Sequence, residues 1–208
     1  ESAGDCGNLQ LLSAEMDGLA WKTAGLRLIG NAQFRCKDWQ GARVTWEKVR
    51  DYDETDLEAN TLLGTVYQRL DDLVRADQAL KRALHNTCEA PSGWHRAELY
   101  ALLGRNAKTL WEREWQPVET LGNLQKTALT SPYLRRSFDL YRKGFIEDRN
   151  HFYSGLNALA LITIITELAV AQPETWQDEF ELEEDAELEL RKQMTLRGEL
   201  AVGVKLAI

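Results

Sequence analysis

An internal period of 34 residues constrains this chain more than any other feature. "LIGNAQFRCKDWQGARVTWEKV" (28–49) lies over "LLGTVYQRLDDLVRADQALKRA" (62–83) without a gap, so that Gly30 falls on Gly64, Asp38 on Asp72, Ala42 on Ala76, Trp46 on Leu80 and Val49 on Ala83. A period of this length is one supersecondary unit, which buries its apolar face only by stacking on a neighbour. Small residues at two fixed places, with large ones between, are what two close-packed antiparallel helices require. Gly30 and Gly64 are expected where the two helices of a hairpin approach most closely, and Ala42 and Ala76 play the same part on the second helix. Trp46, Leu80 and Tyr67 are expected to fill the space between layers. "CKDWQGA" and "LDDLVRA" are the short turns with their helix starts, and "DYDETD" (51–56) joins the first hairpin to the second.

A third copy is split. "AELYALLGRNAKTLWEREW" (97–115) repeats the first-helix pattern with Gly104 in the glycine place, but six residues late, after the loop "NTCEAPSGW". A polar insertion with two prolines, "QPVETLGNLQKTALTSP" (116–132), then precedes "SFDLYRKGF" (137–145), which sets Ser137, Tyr141 and Gly144 at the small, large and small places of a second helix. The run 152–171 opens a fourth hairpin. An amphipathic helix is expected from about Ala186 onward, with Leu190, Met194, Ala201 and Val204 on one face. No alternating Val/Ile/Thr run reads as a strand.

The period and its small-residue places resemble the tetratricopeptide repeat. The expected fold class is all-α, a short right-handed solenoid of antiparallel helical hairpins. The expected organisation is an N-terminal capping segment 1–22, carrying Leu9, Leu11, Leu12, Met16 and Trp21, followed by repeats over 23–171. Those repeats run 23–56, 57–90 and a split third over 97–148 with its insertion 116–132, before the fourth-repeat helix 152–171. An acidic linker and the C-terminal amphipathic helix occupy 172–208. The chain begins with Glu1 and ends in the apolar run "AVGVKLAI" with no terminating Gly or Pro, so it is expected to be a piece of a larger protein.

Charge excludes one class of partner. The net charge is −8, and nine acidic residues with no basic one lie between Glu174 and Glu189. The remainder holds 24 acidic against 25 basic residues (33 less nine, against 25), with no basic face of the kind that phosphate backbones need. No nucleic-acid partner is expected. The acidic run itself is expected to be a solvated linker, with an internal ligand for a basic groove as the sharper alternative. The most apolar run, Gly155–Ala171, contains Asn157, Thr163, Thr166 and Glu167 and suits a buried helix better than a membrane span. Cys6, Cys36 and Cys88, odd in number and widely spaced, give no disulfide framework and fit a reducing cytoplasm.

"YRKGFIEDRNHFYSGLNALAL" (141–161) and "RAELYALLGRNAKTLWEREW" (96–115) resemble a second, narrower family. It is the central helical region of the apoptosis signal-regulating MAP kinase kinase kinases, called the TRAFs-binding domain, which also occurs in bacterial multidomain proteins. The resemblance covers roughly residues 23–171. It implies a regulatory scaffold that binds other proteins or restrains a neighbouring domain, and it implies no catalysis and no cofactor.

The tetratricopeptide resemblance places the partner surface on a concave groove lined by first helices, which here carries Arg27, Asn31, Phe34, Arg35, Gln68, Arg69, Arg105 and Lys108. Five cations in that set favour an acidic peptide or partner surface, because guanidinium forks suit carboxylates. "RLIGNAQF" resembles the first half of a chaperone-tail clamp, with Arg27 and Asn31 at clamp places. The second-repeat Asn is replaced by Leu62 and the third-repeat cations by Glu98 and Leu102, so a chaperone tail is not the expected ligand.

An alternative site for a small ligand or nucleotide is the joint formed by Tyr141, Asp148, His151, Tyr153 and Asn157. His beside a carboxylate is the usual general-base pair. No Ser or Cys nucleophile stands in a recognisable elbow, however, and helix geometry accounts for each residue, with Asp148 or Asn150 capping the incoming helix. His85, Cys88 and His95 cluster in one loop but lack a fourth ligand, so no metal is expected. Trp111 and Trp115, one turn apart, are expected to pack beneath the insertion.

Overall fold

The computed structural model describes residues 6–87 and 93–207, which form helices and, within those residues, no strand. The chain divides into two compact units, one up to residue 91 and one from residue 92. The first holds two hairpins, α2 (Lys22–Arg35) with α3 (Trp39–Tyr52) and α4 (Leu57–Arg69) with α5 (Leu73–Asn86). A preceding helix α1 (Cys6–Glu15) lies against α2 and α3.

The 34-residue period is written in the helix ends. Asp38 and Asp72 cap α3 and α5, each accepting the amide N–H three residues on, from Gly41 and Arg75. One residue earlier, Lys37 and Asp71 take left-handed conformations with φ of 61° and 67°. Their neighbours close the same terminal motif: the Asp38 N–H donates to the Gln33 carbonyl and the Asp72 N–H to the Tyr67 carbonyl, at 3.0 and 2.9 Å.

Inside each hairpin the glycine of the first helix receives the large residue of the second. A Cβ on Gly30 would stand 2.7 Å from Nε1 of the Trp46 indole, and one on Gly64 would stand 2.4 Å from Cγ of Leu80. Both large side chains are fully buried. They therefore fill the hairpin seam itself rather than only the space between hairpins. Around Trp46 the core of the first unit gathers Leu26, Val49, Leu63, Val66 and Tyr67. The expected capping segment behaves differently along its length: Met16 is buried and Leu9 partly so, whereas Leu11, Leu12 and Trp21 are exposed. Beside the packing of Leu9 on the core, two polar bonds hold α1: Thr45 Oγ1 donates to Ser13 Oγ and Lys48 Nζ to the Ser13 carbonyl.

The second unit rebuilds the hairpin across the insertion. Helix α6 (Gly93–Trp115) packs along α8 (Pro132–Glu147), and a Cβ on Gly104 would stand 2.9 Å from the Tyr141 ring. Ser137, at the small place, is buried and donates to the Gly104 carbonyl at 2.9 Å. The insertion contains helix α7 (Leu121–Thr130), whose Ala128 carbonyl accepts from Trp111 Nε1 at 2.9 Å. Trp111 is thus buried under it, 5.4 Å from the Trp115 ring.

Helix α9 (Phe152–Ala171) packs between α8 and α11 (Glu183–Ala207), with the short α10 (Pro173–Gln177) at its end. By length and composition α9 is apolar enough to cross a membrane, with a mean hydropathy of 1.7. Here it is a core helix that buries Ala158, Leu161, Ile162, Ile165 and Ala169. Of the face expected on α11, Val204 is buried and Leu190 packs against the core, but Met194 and Ala201 face solvent, and Ala186 and Leu200 take their share of the buried side. The partner surface is set by α9, where Gly155 admits Val204 and Phe145 together.

The acidic run is engaged within this unit. Glu179 pairs with Arg135, Glu187 with Arg191 at 2.9 Å, and Glu189 with Lys192 at 3.8 Å. Trp176 anchors it from below, buried and donating to the Ala186 carbonyl at 2.9 Å.

Candidate functional site

Six of the eight expected groove residues stand on α2 and α4 of the first unit, and two stand on α6 of the second. Their environments differ sharply. Arg27 is committed internally: its guanidinium forms a bidentate contact with Asp56 and another with Glu58 at 2.6 Å. The hydrogen bond to Asp56, above all, raises the Arg27 pKa beyond its ordinary value. Asn31 Nδ2 donates to Glu58 Oε1 at 3.3 Å. The two clamp-like residues therefore already hold carboxylates, supplied by the start of α4.

Arg35 and Arg69 are exposed. Beside Arg69 lies an aromatic pair: Phe34 meets Trp39 edge to face at 5.3 Å, and the Arg69 guanidinium lies 5.8 Å from the Trp39 ring centre. Gln68 is half-buried on the same helix as Arg69. Cations over half-exposed aromatic rings are the composition of binding hot spots. Trp39 does not stand out in the sequence, although it follows Asp38 at a helix start, where the first turn projects from the hairpin end. In the second unit Arg105 and Lys108 are half-buried on α6, and Arg105 lies close enough to act on the Tyr141 hydroxyl.

The alternative site is partly assembled. Tyr141 and Tyr153 rings meet at 5.9 Å with their hydroxyls 3.5 Å apart, and His151 lies 6.4 Å from Tyr153. Burial, followed by the bond to Tyr153, pushes the Tyr141 hydroxyl well above the usual phenol range. Asp148 and Asn157 serve the backbone instead. Asp148 Oδ1 accepts the Asn150 N–H, and Asn157 Nδ2 donates to the Tyr153 carbonyl. Neither Asp148 nor Asn150 caps α9 as expected. The cap position belongs to His151, because the turn needs Asp148 to close α8.

The carboxylate beside His151 is Glu98, 53 residues away on α6. His151 Nε2 lies 3.0 Å from Glu98 Oε2, and Nδ1 lies 2.8 Å from Ser154 Oγ. A serine, a histidine and an acid in a row have the outline of a hydrolytic relay. Accessibility decides against that chemistry, because Ser154 is wholly buried and its Oγ lies 2.7 Å from where a Gly144 Cβ would stand. No substrate carbonyl reaches it. The row instead ties α6 to α9. Replacing His151 by Ala removes two hydrogen bonds from a buried position, one of them to a carboxylate, and is expected to destabilise the chain by about 2 kcal/mol in urea titration.

His85 and His95 are exposed, and Cys88 lies outside the described residues. Among the described residues no group of three His, Cys, Asp or Glu side chains is arranged to hold a metal ion.

Paired helices, a large residue seated on each hairpin glycine and a 34-residue turn register define a tetratricopeptide-type repeat domain. The chain belongs to the TPR-S family, Tetratricopeptide Repeats-Sensor, which matches residues 38–162. It is similar in fold to two solved structures. One is described as "Crystal structure of MamA protein" (TM-score 0.49, 16% identity, 91% of this chain and 91% of that chain). The other is described as "Crystal structure of MamA" (TM-score 0.46, 16% identity, 86% of this chain and 92% of that chain). No curated protein matches it in sequence.

Proposed function

We propose that the chain is a non-catalytic recognition domain of a larger signalling or defence-type protein. It works in the cytoplasm by binding an acidic peptide, an acidic partner surface or a neighbouring domain of the same protein. The observation that carries this reading is the exposed Arg69 over the Trp39 ring of the Phe34–Trp39 pair, with Arg35 exposed next to Phe34 in sequence. Rigid aromatic area costs little entropy to order, and guanidinium forks beside it select carboxylates. The likeness of residues 96–115 and 141–161 to the TRAFs-binding domain supports a signalling context. Arg27 and Asn31 contribute by shaping the surface, because their own carboxylate partners come from Asp56 and Glu58.

The test is affinity capture from the native host, with the intact chain beside an Arg35→Glu/Arg69→Glu variant of equal helical content. Capture of a specific partner is expected to fall at least ~10-fold, since two charge-assisted hydrogen bonds at ~1.5 kcal/mol each exceed that factor. Equal capture by both proteins would overturn the reading. Arg105 is left unaltered because it is half-buried near Tyr141, so reversing its charge would perturb folding as well as binding.

The family's description as a sensor favours a second reading, a regulatory domain responding to a small ligand or nucleotide beside the Tyr141–Asn157 joint. Tyr153, the most accessible member, would meet such a ligand first. A thermal-shift screen separates the two readings, because a ligand that binds only the folded state raises apparent stability.

A further inference from the structure

The second helices of the first unit carry a charge pattern that neither reading uses. On α3, Arg43, Glu47 and Arg50 recur at spacings of four and three, and on α5, Arg75, Gln78 and Arg82 recur at three and four. Residues at those spacings share one helix face. The two stripes line a cavity of about 510 Å³, with Tyr67 of α4 joining them. A concavity of that size suits a small molecule better than a flat protein surface.

Its walls hold four guanidinium groups and one carboxylate, a balance of +3 (four less one) in a chain whose net charge is −8. The carboxylate is occupied: Glu47 Oε1 accepts from the Tyr67 hydroxyl at 2.6 Å. Arg75 has a partial partner in Asp72, 3.4 Å from its Nε. Among the described residues no carboxylate lies within ion-pair distance of Arg43, Arg50 or Arg82, and the buried Nε of Arg43 meets no protein acceptor. Burial, ahead of the bond to Glu47, holds the Tyr67 hydroxyl above the ordinary phenol range, so it stays protonated with its one proton given to Glu47.

Like charges gathered around one concavity repel, and an anion bridging both walls removes that penalty. The walls are guanidinium, carboxylate and amide, which disfavour an apolar ligand. A single carboxylate satisfies one guanidinium fork, whereas arginines on two facing helices call for several acceptor oxygens close together. Guanidinium forks match phosphate oxygens two at a time.

We propose that the cavity lined by Arg43, Arg50, Arg75 and Arg82 is a binding site for a small molecule bearing adjacent phosphate groups. The proposal does not depend on either functional reading, because none of its residues belongs to the Arg35/Arg69 surface or to the Tyr141–Asn157 joint.

The test is calorimetric titration of the chain with inorganic tripolyphosphate, with citrate in parallel, both at one fixed ionic strength. Saturable tripolyphosphate binding is expected, with citrate at least ~10-fold weaker, a difference of about 1.4 kcal/mol. Arg43→Gln/Arg82→Gln is expected to weaken tripolyphosphate by roughly 100-fold, about tenfold for each guanidinium removed. Arg35→Glu/Arg69→Glu is expected to leave it unchanged. Arg82→Gln alone, at an exposed helix position that the fold does not need, is expected to weaken binding by roughly 10-fold. It keeps the test decisive should the double variant misfold. Absence of tripolyphosphate binding, binding unaltered by Arg82→Gln, or citrate binding of equal strength would each overturn the proposal. The last outcome would assign the cavity to carboxylates, such as those of an acidic peptide.

Discussion

Replacing Asp56 by Ala is expected to cost the first unit about 3 kcal/mol, the largest single loss from any polar substitution in it. The side chain has two tasks at once. Its Oδ1 accepts the Ala59 N–H at 2.7 Å and so caps α4, while both oxygens meet the Arg27 guanidinium arriving from α2. The Asp56 carbonyl, in addition, accepts from Asn60 Nδ2 at 2.8 Å. Loss of the cap alone costs about 1 kcal/mol, and stranding the charge of a buried pair costs about 3–5 kcal/mol. Arg27 keeps a third of its side chain in water, 32%, and retains Glu58, so stranding it costs only about 2 kcal/mol and the two losses together come to about 3 kcal/mol. Asp56→Asn keeps an acceptor for the cap and is expected to lose about half as much. Urea unfolding of the two variants beside the parent checks both figures. A loss below about 1 kcal/mol for Asp56→Ala would mean that the hairpins are joined by apolar contact alone.

The second large effect concerns a glycine that a helix would rather have as alanine. In an exposed helix Gly→Ala gains about 1 kcal/mol. At Gly64 the added methyl would lie 2.4 Å from both Cγ and Cδ2 of Leu80, which is fully buried and cannot swing aside. Overpacking of this kind costs about 1–3 kcal/mol, so the sign is expected to reverse and the variant to be less stable. Leu80→Ala, leaving a cavity, is expected to lose about 2–5 kcal/mol. The diagnostic protein is the double variant Gly64→Ala/Leu80→Ala, where the new methyl enters space that the leucine vacated. It should be more stable than Leu80→Ala alone, with a coupling of about 1–3 kcal/mol in the double-mutant cycle. Strict additivity would show that glycine and leucine do not share one seam.

These two cases also mark what the sequence makes legible. The glycine, the large residue sixteen positions on and the capping Asp38 and Asp72 recur at one period, and a period survives without knowledge of the neighbours. It carries through the insertion, because Gly104 and Tyr141 keep their roles. Contacts between elements that do not repeat are hidden. Arg27 and Asn31 look like a clamp waiting for a carboxylate, and the carboxylates come from Asp56 and Glu58, at the start of α4, whose direction the period does not set. His151 is visible as a histidine beside acids, but Asp148 is the nearer in sequence and Glu98 the nearer in space. The apolar face of α11 is ambiguous because Met194 and Ala201 fit a helical stripe as well as Leu200 does, and only the groove offered by α9 discriminates. The arginine stripes on α3 and α5 are plain at helical spacing, yet nothing in either helix alone says that they face one another.

The interrupted third hairpin bears on the order in which the second unit acquires its structure. In the first two hairpins the glycine and its large partner, Gly30 with Trp46 and Gly64 with Leu80, are brought together by closing a short stretch of chain. Gly104 and Tyr141 must close a stretch more than twice as long. Because loop-closure entropy rises only with the logarithm of length, the equilibrium penalty is about 0.7 kcal/mol, small enough for one added helix contact to offset. Rates respond more strongly to the separation of contacts. Helices α8 and α9, packed on one another and separated by only the four residues 148–151, are expected to pair before α6 docks, with Phe145 in the gap at Gly155. Those two helices belong to different repeats. In this half of the chain the segment that recurs and the pair expected to form first are therefore different pieces of sequence, and a cut placed at the repeat boundary would separate that pair.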